Sequence, residues 1–266
     1  MDAASECAIF FSLIVVLLAA SLQHMMPSPP VTAVGIDLGT TFSCIASFND
    51  GEVDVIVNAE GSTITPSVLF VPQNGSQLVI GEFARSSAAR QPGTLLYDAK
   101  RFIGKHYDSE RLRHDMVGLP FDVVPRAVTE DEKLVLKPYL LAQRDGGQPI
   151  MFAPEDVGSH IVRHLKAAAE ARIGQSIKLA VLAVPVGFSR QQIEATRRAA
   201  TLAGLEVMRM IHEPTAAAMA YGLHEVNKTI RERPANHGRP ANMGKRSVRL
   251  ALALSHLSKD SIRKWY

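Results

Sequence analysis

The chain has 266 residues, of which 47% are hydrophobic, 21% charged and 6% aromatic. This composition excludes collagen, an intrinsically disordered chain and a polytopic membrane protein. The net charge of +3 is unevenly distributed, because residues 1–225 carry 19 Lys and Arg against 24 Asp and Glu, whereas residues 226–266 carry 10 against 2. Since the excess of basic residues is confined to the tail, nucleic-acid binding is not expected as the main role.

A hydrophobic run from Ala8 to Leu22 opens the chain. As a helix it would be about 22 Å long, which is short against a hydrocarbon core of roughly 30 Å. Its position and the proline-containing spacer after it favour a signal peptide or signal anchor at residues 1–26 over a buried core helix. We therefore expect entry into the secretory pathway, with membrane contact only if this segment is not cleaved. Sequons at Asn74 and Asn227 agree weakly with that route.

Three short strands are predicted next, at residues 32–38, 42–48 and 52–57. Gly39-Thr40-Thr41 forms a tight turn between the first two, and Asn49-Asp50-Gly51 is a strong hairpin signal between the second and third. The interpretation is an antiparallel meander.

A polar, turn-rich insertion of about residues 59–152 follows the meander. Alternation of apolar residues predicts strands at residues 67–71, 119–124 and 148–152, and a weak helical pattern covers residues 82–90.

Beyond Pro154 the pattern changes to alternating helices and strands. Acidic residues open a helix that Gly174 closes, and residues 178–185 are continuously apolar, as in a central parallel strand covered on both faces. A parallel pair of strands joined by a helix favours a right-handed crossover and a mixed sheet with helices on both faces. The fold class is therefore α/β.

The remaining elements follow the same alternation. Ser189 and Gln192 form a possible capping box for a helix that ends at Gly204. Residues 206–211 are predicted to form a strand, and Pro214 suits the first position of an alanine-rich helix ending at Gly222.

The turn after the first strand carries residues suited to phosphate binding. A phosphate chain needs converging backbone N–H groups, supplementary hydroxyls and a residue without Cβ, which Gly39, Thr40 and Thr41 provide. Asp37 at the end of the strand could hold Mg²⁺ through water. The same four residues also fit a plain glycine turn capped by an aspartate, and composition does not decide between the two.

Three segments in the same order resemble the nucleotide-binding domain of the stress-70 (seventy-kilodalton heat-shock) chaperone family. They are VGIDLGTTFSCIASFNDG, LYDAKRFIGK at residues 96–105, and the stretch from Leu179 to Leu223. The resemblance covers residues 32–224, and the hydrophobic N-terminus adds a likeness to microsomal members. It implies the actin-like ATPase (ribonuclease H-like) fold, first lobe only, with an inserted small α+β subdomain at about residues 59–152.

The resemblance implies ATP and Mg²⁺ as cofactors and a set of site residues. Gly39, Thr40 and Thr41 match the first phosphate-binding hairpin, and Asp37 matches the acid that holds Mg²⁺ through water. Lys100 matches the lysine that reaches the γ-phosphate and the attacking water, and a cation there stabilises the transferring phosphoryl group. Glu213 matches the glutamate near the metal and water. Taken alone, Lys100 also fits a solvated surface and Glu213 an acid at a helix N-terminus.

The chain also departs from the family pattern. Pro185 matches a proline that relays nucleotide state, but Ile193 stands where its arginine partner is expected, Arg190 stands where the family has an acid or neutral residue, and His212 replaces an asparagine. A second glycine-rich phosphate hairpin is not recognisable after His224, where a basic tail of residues 225–266 begins. We expect the tail to be disordered and ATP hydrolysis by the chain as written to be weak or absent.

Two classes of function follow from the resemblance. One is an ATP-binding, chaperone-like protein of the secretory pathway whose partners are co-chaperones or client proteins. The alternative is a non-catalytic interaction module that competes with full-length relatives for those partners. A sugar kinase of the same superfold fits the segments around Asp98 and His212 poorly.

Overall fold

The computed structural model describes residues 12–18, 33–49, 52–130 and 132–220. The chain divides into two units, residues 1–30 and 31–266. In the first unit residues 12–18 are helical (α1). Within the described ranges, no helix is both long enough and apolar enough to cross a membrane. The expected signal cleavage region, the sequon at Asn227 and the basic tail lie outside the described residues.

The second unit contains a mixed sheet and two smaller sheets. Its elements are, in chain order, β1 (Val34–Asp37), β2 (Phe42–Asn49), β3 (Glu52–Val55), β4 (Thr65–Pro66), β5 (Leu69–Pro72), β6 (Val79–Ile80), α2 (Glu82–Ala88), β7 (Gly93–Leu96), α3 (Ala99–Phe102), α4 (Glu110–Asp115), β8 (Val123–Glu130), β9 (Lys133–Ala142), β10 (Ile150–Phe152), α5 (Pro154–Ile173), β11 (Leu179–Val184), α6 (Arg190–Leu202), β12 (Glu206–His212) and α7 (Glu213–Ala220).

The main sheet has the strand order β12-β11-β1-β2-β3, and β4 pairs with β2. Strands β1, β2 and β3 are antiparallel neighbours, whereas β11 is parallel to both β1 and β12. The predicted meander and the predicted central parallel strand are therefore confirmed. The first and third strands end earlier than predicted, at Asp37 and Val55. Leu38 and Ile56 are nevertheless buried, and the Ile56 N–H still donates to the Ile45 carbonyl at 3.0 Å. The buried apolar stretch is therefore longer than the strand itself.

The helices α5 and α6 pack against one face of this sheet. A single buried cluster joins residues of the strands, such as Ile36 and Ile45, to Val157 and Ile161 of α5 and to Ala199 of α6. The alternate side chains of β2 and β11 form a smaller cluster that, among the described residues, contains strand and loop residues only. The sequence predicted helices on both faces of the sheet. Among the described residues, the larger cluster contains helix residues from α5 and α6, and the smaller cluster contains none.

The insertion contains the sheets β6-β5-β7 and β10-β9-β8 together with α2, α3 and α4. Helix α2 confirms the helical pattern predicted near residue 82. Strand β9 was not predicted, because Lys133, Lys137 and Pro138 interrupt its apolar pattern. Buried residues of the insertion, among them Phe102 and Leu140, belong to the same cluster as the main sheet. The proposed boundaries at residues 59 and 152 stay a prediction.

The predicted helix ends are mostly confirmed. Gly174 follows α5 in the left-handed conformation with φ of 78°. The capping box of α6 forms, since Ser189 Oγ accepts from the Gln192 N–H at 3.3 Å and Gln192 Oε1 accepts from the Ser189 N–H at 3.1 Å. The predicted start of α7 at Pro214 is wrong by one residue, because β12 runs to His212 and the helix begins directly at Glu213. Its predicted end at Gly222 lies outside the described residues.

Candidate functional site

The carboxyl ends of the three parallel strands bring distant parts of the sequence to one edge of the sheet. In the strand register Asp37 is paired with Ala183, and Ala183 is paired with Ile211. Pro185 directly follows β11, and Glu213 directly follows β12. Each therefore lies two residues beyond the residue of its strand that is in register with Asp37. In open α/β sheets this edge is where ligands bind.

The bend between β1 and β2 lies at the same edge. Gly39 is buried, Thr40 is half-buried and Thr41 is exposed. The Gly39 N–H donates to Ser43 Oγ at 3.2 Å, so this amide is directed into the protein. The backbone of the bend therefore presents Thr40 and Thr41, rather than the Gly39 amide, to the outside.

Helix α3 delivers a lysine to this edge. Asp98 precedes the helix in the left-handed conformation with φ of 58°, which few residues other than glycine adopt. The Lys100 side chain is only 8% exposed, and its Nζ lies 3.1 Å from Glu213 Oε1. The same Nζ lies 5.6 Å from the centre of the Phe188 ring, within the range of a cation–π interaction. Neighbouring Arg101 is 51% exposed and pairs with Asp98 instead, so the solvated-surface interpretation fits Arg101 and not Lys100.

These groups line one cavity of about 540 Å³. Five of the six residues predicted from the sequence contribute to its wall, and the sixth, Thr41, is not among the lining residues. The complete lining is Asp37, Gly39, Thr40, Lys100, Arg101, Gly104, Lys105, His106, Ser109, Asp115, Pro185, Gly187, Phe188, Ser189, Gln191, Gln192 and Glu213. The structure thus brings together residues that lie up to 176 positions apart, from Asp37 to Glu213.

One part of the cavity wall was not predicted from the sequence. There Lys105 Nζ pairs with Asp115 Oδ2 at 2.6 Å, and Arg101 approaches the same carboxylate at 3.9 Å. Gly104 has φ of +64°, and a Cβ on it would lie 2.5 Å from the Gln192 Cα, so α6 approaches this loop without room for a side chain. No spacing in the sequence predicts contacts between residues 104–115 and 191–192.

The chemistry of the lining suits a phosphate chain that carries a divalent cation. Lys100 supplies positive charge, Thr40 supplies a hydroxyl, and Asp37 and Glu213 supply the hard oxygen atoms that Mg²⁺ prefers. Within the described residues, no group of three or more His, Cys, Asp or Glu side chains is arranged to hold a metal ion. That donor set fits Mg²⁺ bound through one or two carboxylates together with substrate phosphates, rather than an all-protein metal site.

The chain is similar in sequence to known proteins. The model of the family described as Hsp70 protein matches residues 33–233. A curated relative, the heat shock 70 kDa protein BIP3 of Oryza sativa subsp. japonica, is 42% identical over 211 residues, which cover 79% of this chain and 30% of the relative. The chain therefore spans less than a third of the length of that relative.

Proposed function

This chain belongs to the Hsp70 family, and from that premise we propose that the cavity at the ends of β1, β11 and β12 binds ATP together with Mg²⁺ through the phosphate groups. The observation that carries the proposal is the pairing of Lys100 with Glu213 in the same cavity as Gly39 and Thr40. A nearly buried lysine beside a backbone bend is an arrangement that stabilises phosphate charge.

Five of the six predicted residues have a direct proposed role in this site. Thr40, with Thr41 beside it, contacts the phosphate chain through hydroxyl and backbone N–H groups. Asp37 holds Mg²⁺ through water, as hard oxygen ligands do. Lys100 neutralises charge on the terminal phosphate, and Glu213 orients water near it. Bound Mg²⁺ would supply further neutralisation of the phosphate charge.

We propose that hydrolysis by this chain alone is weak or absent. The described lining of the cavity holds one bend suited to phosphate binding, at residues 39–41, beside strand ends, loops and residues of α3, α4 and α6. A nucleotide held by one such bend lacks the donors that a second bend would supply. If that loss amounts to about 4 kcal/mol, affinity falls roughly a thousandfold.

The location and the domain organisation belong to the same proposal. The hydrophobic run at residues 8–22 supports a signal peptide or anchor at residues 1–26 and delivery to the endoplasmic reticulum lumen. Residues 32–224 then act as the nucleotide-binding first lobe, and residues 225–266 as a separate basic tail. Co-chaperones or client proteins are the proposed partners.

A second function is supported by an apolar side chain at the edge of the cavity. Val186, directly after the lining residue Pro185, is 61% exposed. An exposed apolar group in such a place favours contact with another protein. The alternative is therefore a non-catalytic module that competes with full-length relatives for co-chaperones or clients.

Titration of the purified full-length chain with Mg-ATP, followed by calorimetry, tests the proposal. We expect weak but saturable binding that Lys100→Ala lowers about tenfold, because the lysine charge on the phosphates is lost. Lys133→Ala is the matched control, since Lys133 is an exposed lysine that is not among the residues lining the cavity. Absence of binding by the wild-type chain would leave the interaction module as the better function, and equal loss in both variants would refute the role of Lys100.

A further inference from the structure

Two buried serine hydroxyl groups lie directly behind the bend at residues 39–41. Ser43 Oγ and Ser67 Oγ are 2.8 Å apart, and the two residues are 1% and 3% exposed. Ser43 Oγ also accepts from the Gly39 N–H, and the Ser67 N–H donates to the Thr41 carbonyl at 2.9 Å. The serine pair is therefore bonded to the first and the last residue of the bend.

The strand β4 holds Ser67 in this position. Thr65 is paired with Ser43 across β2 and β4, and its Oγ1 accepts from Asn58 Nδ2 at 3.1 Å. Asn58 is itself buried. Ser67 consequently has little freedom to move away from Ser43, and the hydrogen bond between the two hydroxyl groups has a fixed support.

Ser67 of the pair also lies beside three residues that line the cavity. A small space of about 10 Å³ is lined by Gly39, Thr40, Ser67 and Lys100 together with apolar neighbours. A hydroxyl group has one hydrogen to donate and two lone pairs to accept with. Ser43 and Ser67 can therefore satisfy both the Gly39 amide and each other without any solvent molecule.

We propose that Ser43 and Ser67 are positioning residues for the phosphate-binding bend. Their hydroxyl pair draws the Gly39 N–H into the protein and thereby directs Thr40 toward the cavity. The consequence for affinity rests on the function proposed above, in which that bend contacts the phosphates of ATP. The serines act through the bend and not on the ligand.

The test uses the isotopically labelled full-length chain and its variants Ser43→Ala and Ser67→Ala. The first readout is the chemical shift and the hydrogen-exchange rate of the Gly39 amide, which report its hydrogen bond to Ser43 directly. The second is the affinity for Mg-ATP. Ser47→Ala is the matched control, because Ser47 is a buried serine on the same strand, and within the described structure its hydroxyl makes no bond to the bend.

We expect Ser43→Ala to shift the Gly39 amide resonance, to accelerate its exchange and to weaken Mg-ATP binding about five- to tenfold relative to Ser47→Ala. Ser67→Ala should change the Gly39 amide and the Mg-ATP affinity in the same direction, but by less. If Ser43→Ala fails to fold, Ser67→Ala takes its place as the test. An unaltered Gly39 amide, or an altered amide with affinity equal to the control, overturns the proposal. If the wild-type chain binds no Mg-ATP, the proposed function fails, and the Gly39 exchange rate alone then supports or overturns the positioning role.

Discussion

Lys100 Nζ and Glu213 Oε1 lie 3.1 Å apart although they are 113 positions apart along the chain. The lysine is nearly buried, and the glutamate side chain is 30% exposed. The pair joins α3, which belongs to the insertion, to the first residue of α7. Folding of the insertion therefore brings together two of the charged residues of the proposed site.

This ion pair should contribute measurably to stability. Lys100→Met and Glu213→Gln are each expected to lower the free energy of unfolding, and the double variant should lose less than the sum, with a coupling of about 1–2 kcal/mol. The partial burial of the pair reduces solvent screening, which is why the coupling exceeds that of a surface pair. Urea unfolding of the four proteins measures it, and strictly additive losses would show that the pair contributes no net interaction.

Gly104 should be irreplaceable at the contact between its loop and α6. A Cβ on Gly104 would lie 2.5 Å from the Gln192 Cα and 2.6 Å from the Gln191 carbonyl oxygen, both of which are backbone atoms that cannot rotate away. We expect Gly104→Ala to lower the free energy of unfolding by roughly 2 kcal/mol or more.

The control for that variant is Gly118→Ala. Gly118 also has positive φ, of +79°, but a Cβ there would meet nothing within 4 Å. It should cost only the backbone strain of about 1 kcal/mol. Equal losses in the two variants would mean that conformational strain, and not the contact with α6, explains the glycine at position 104.

The capping box at the start of α6 should account for about 1 kcal/mol of stability. Ser189 Oγ accepts from the Gln192 N–H, so Ser189→Ala leaves that amide without its partner. Ser109 precedes α4 in the same position but makes no capping bond, and its hydroxyl instead donates to the exposed His106 carbonyl. Thermal unfolding should therefore show a clearly larger loss for Ser189→Ala than for Ser109→Ala, and the reverse order would contradict the capping assignment.

His160 makes stability depend on pH in the weakly acidic range. Burial and the positive charge of Arg163 lower the pKa of His160 from its ordinary value of 6.5, while Asp156 acts in the opposite direction. The unfolded chain therefore binds a proton more readily than the folded chain, so this contribution is complete above pH 6.5 and is lost as the pH falls below it. Unfolding free energies measured between pH 5 and about 7.5 should decrease toward the acidic end.

Replacing His160 isolates this contribution. The ring packs edge-on against Phe152 at 6.3 Å between centroids, so His160→Phe keeps an aromatic group there. Its stability should fall less with decreasing pH than that of His106→Gln, a variant at an exposed position. Parallel pH profiles for the two variants would exclude His160 as the source of the effect.

Local signals in the sequence determined many of the elements. The turn between β1 and β2, the closing glycine of α5 and the capping box of α6 are all made by residues within four positions of each other, so their hydrogen bonds are set by chain neighbours. The continuous apolar run at β11 likewise predicted a strand buried on both faces.

Only the tertiary structure decided how the site is assembled. Lys100 is buried whereas adjacent Arg101 is exposed, and no local pattern distinguishes the two, because the difference arises from the packing of α3 against α5 and α4. The pairing of Lys105 with Asp115 and the contact of Gly104 with α6 likewise depend on loops meeting across the fold. The position of a charged side chain, and the contact between two backbone segments, depend on residues that are far apart in the chain. These residues become neighbours only on folding, so no local pattern in the sequence predicts their contact.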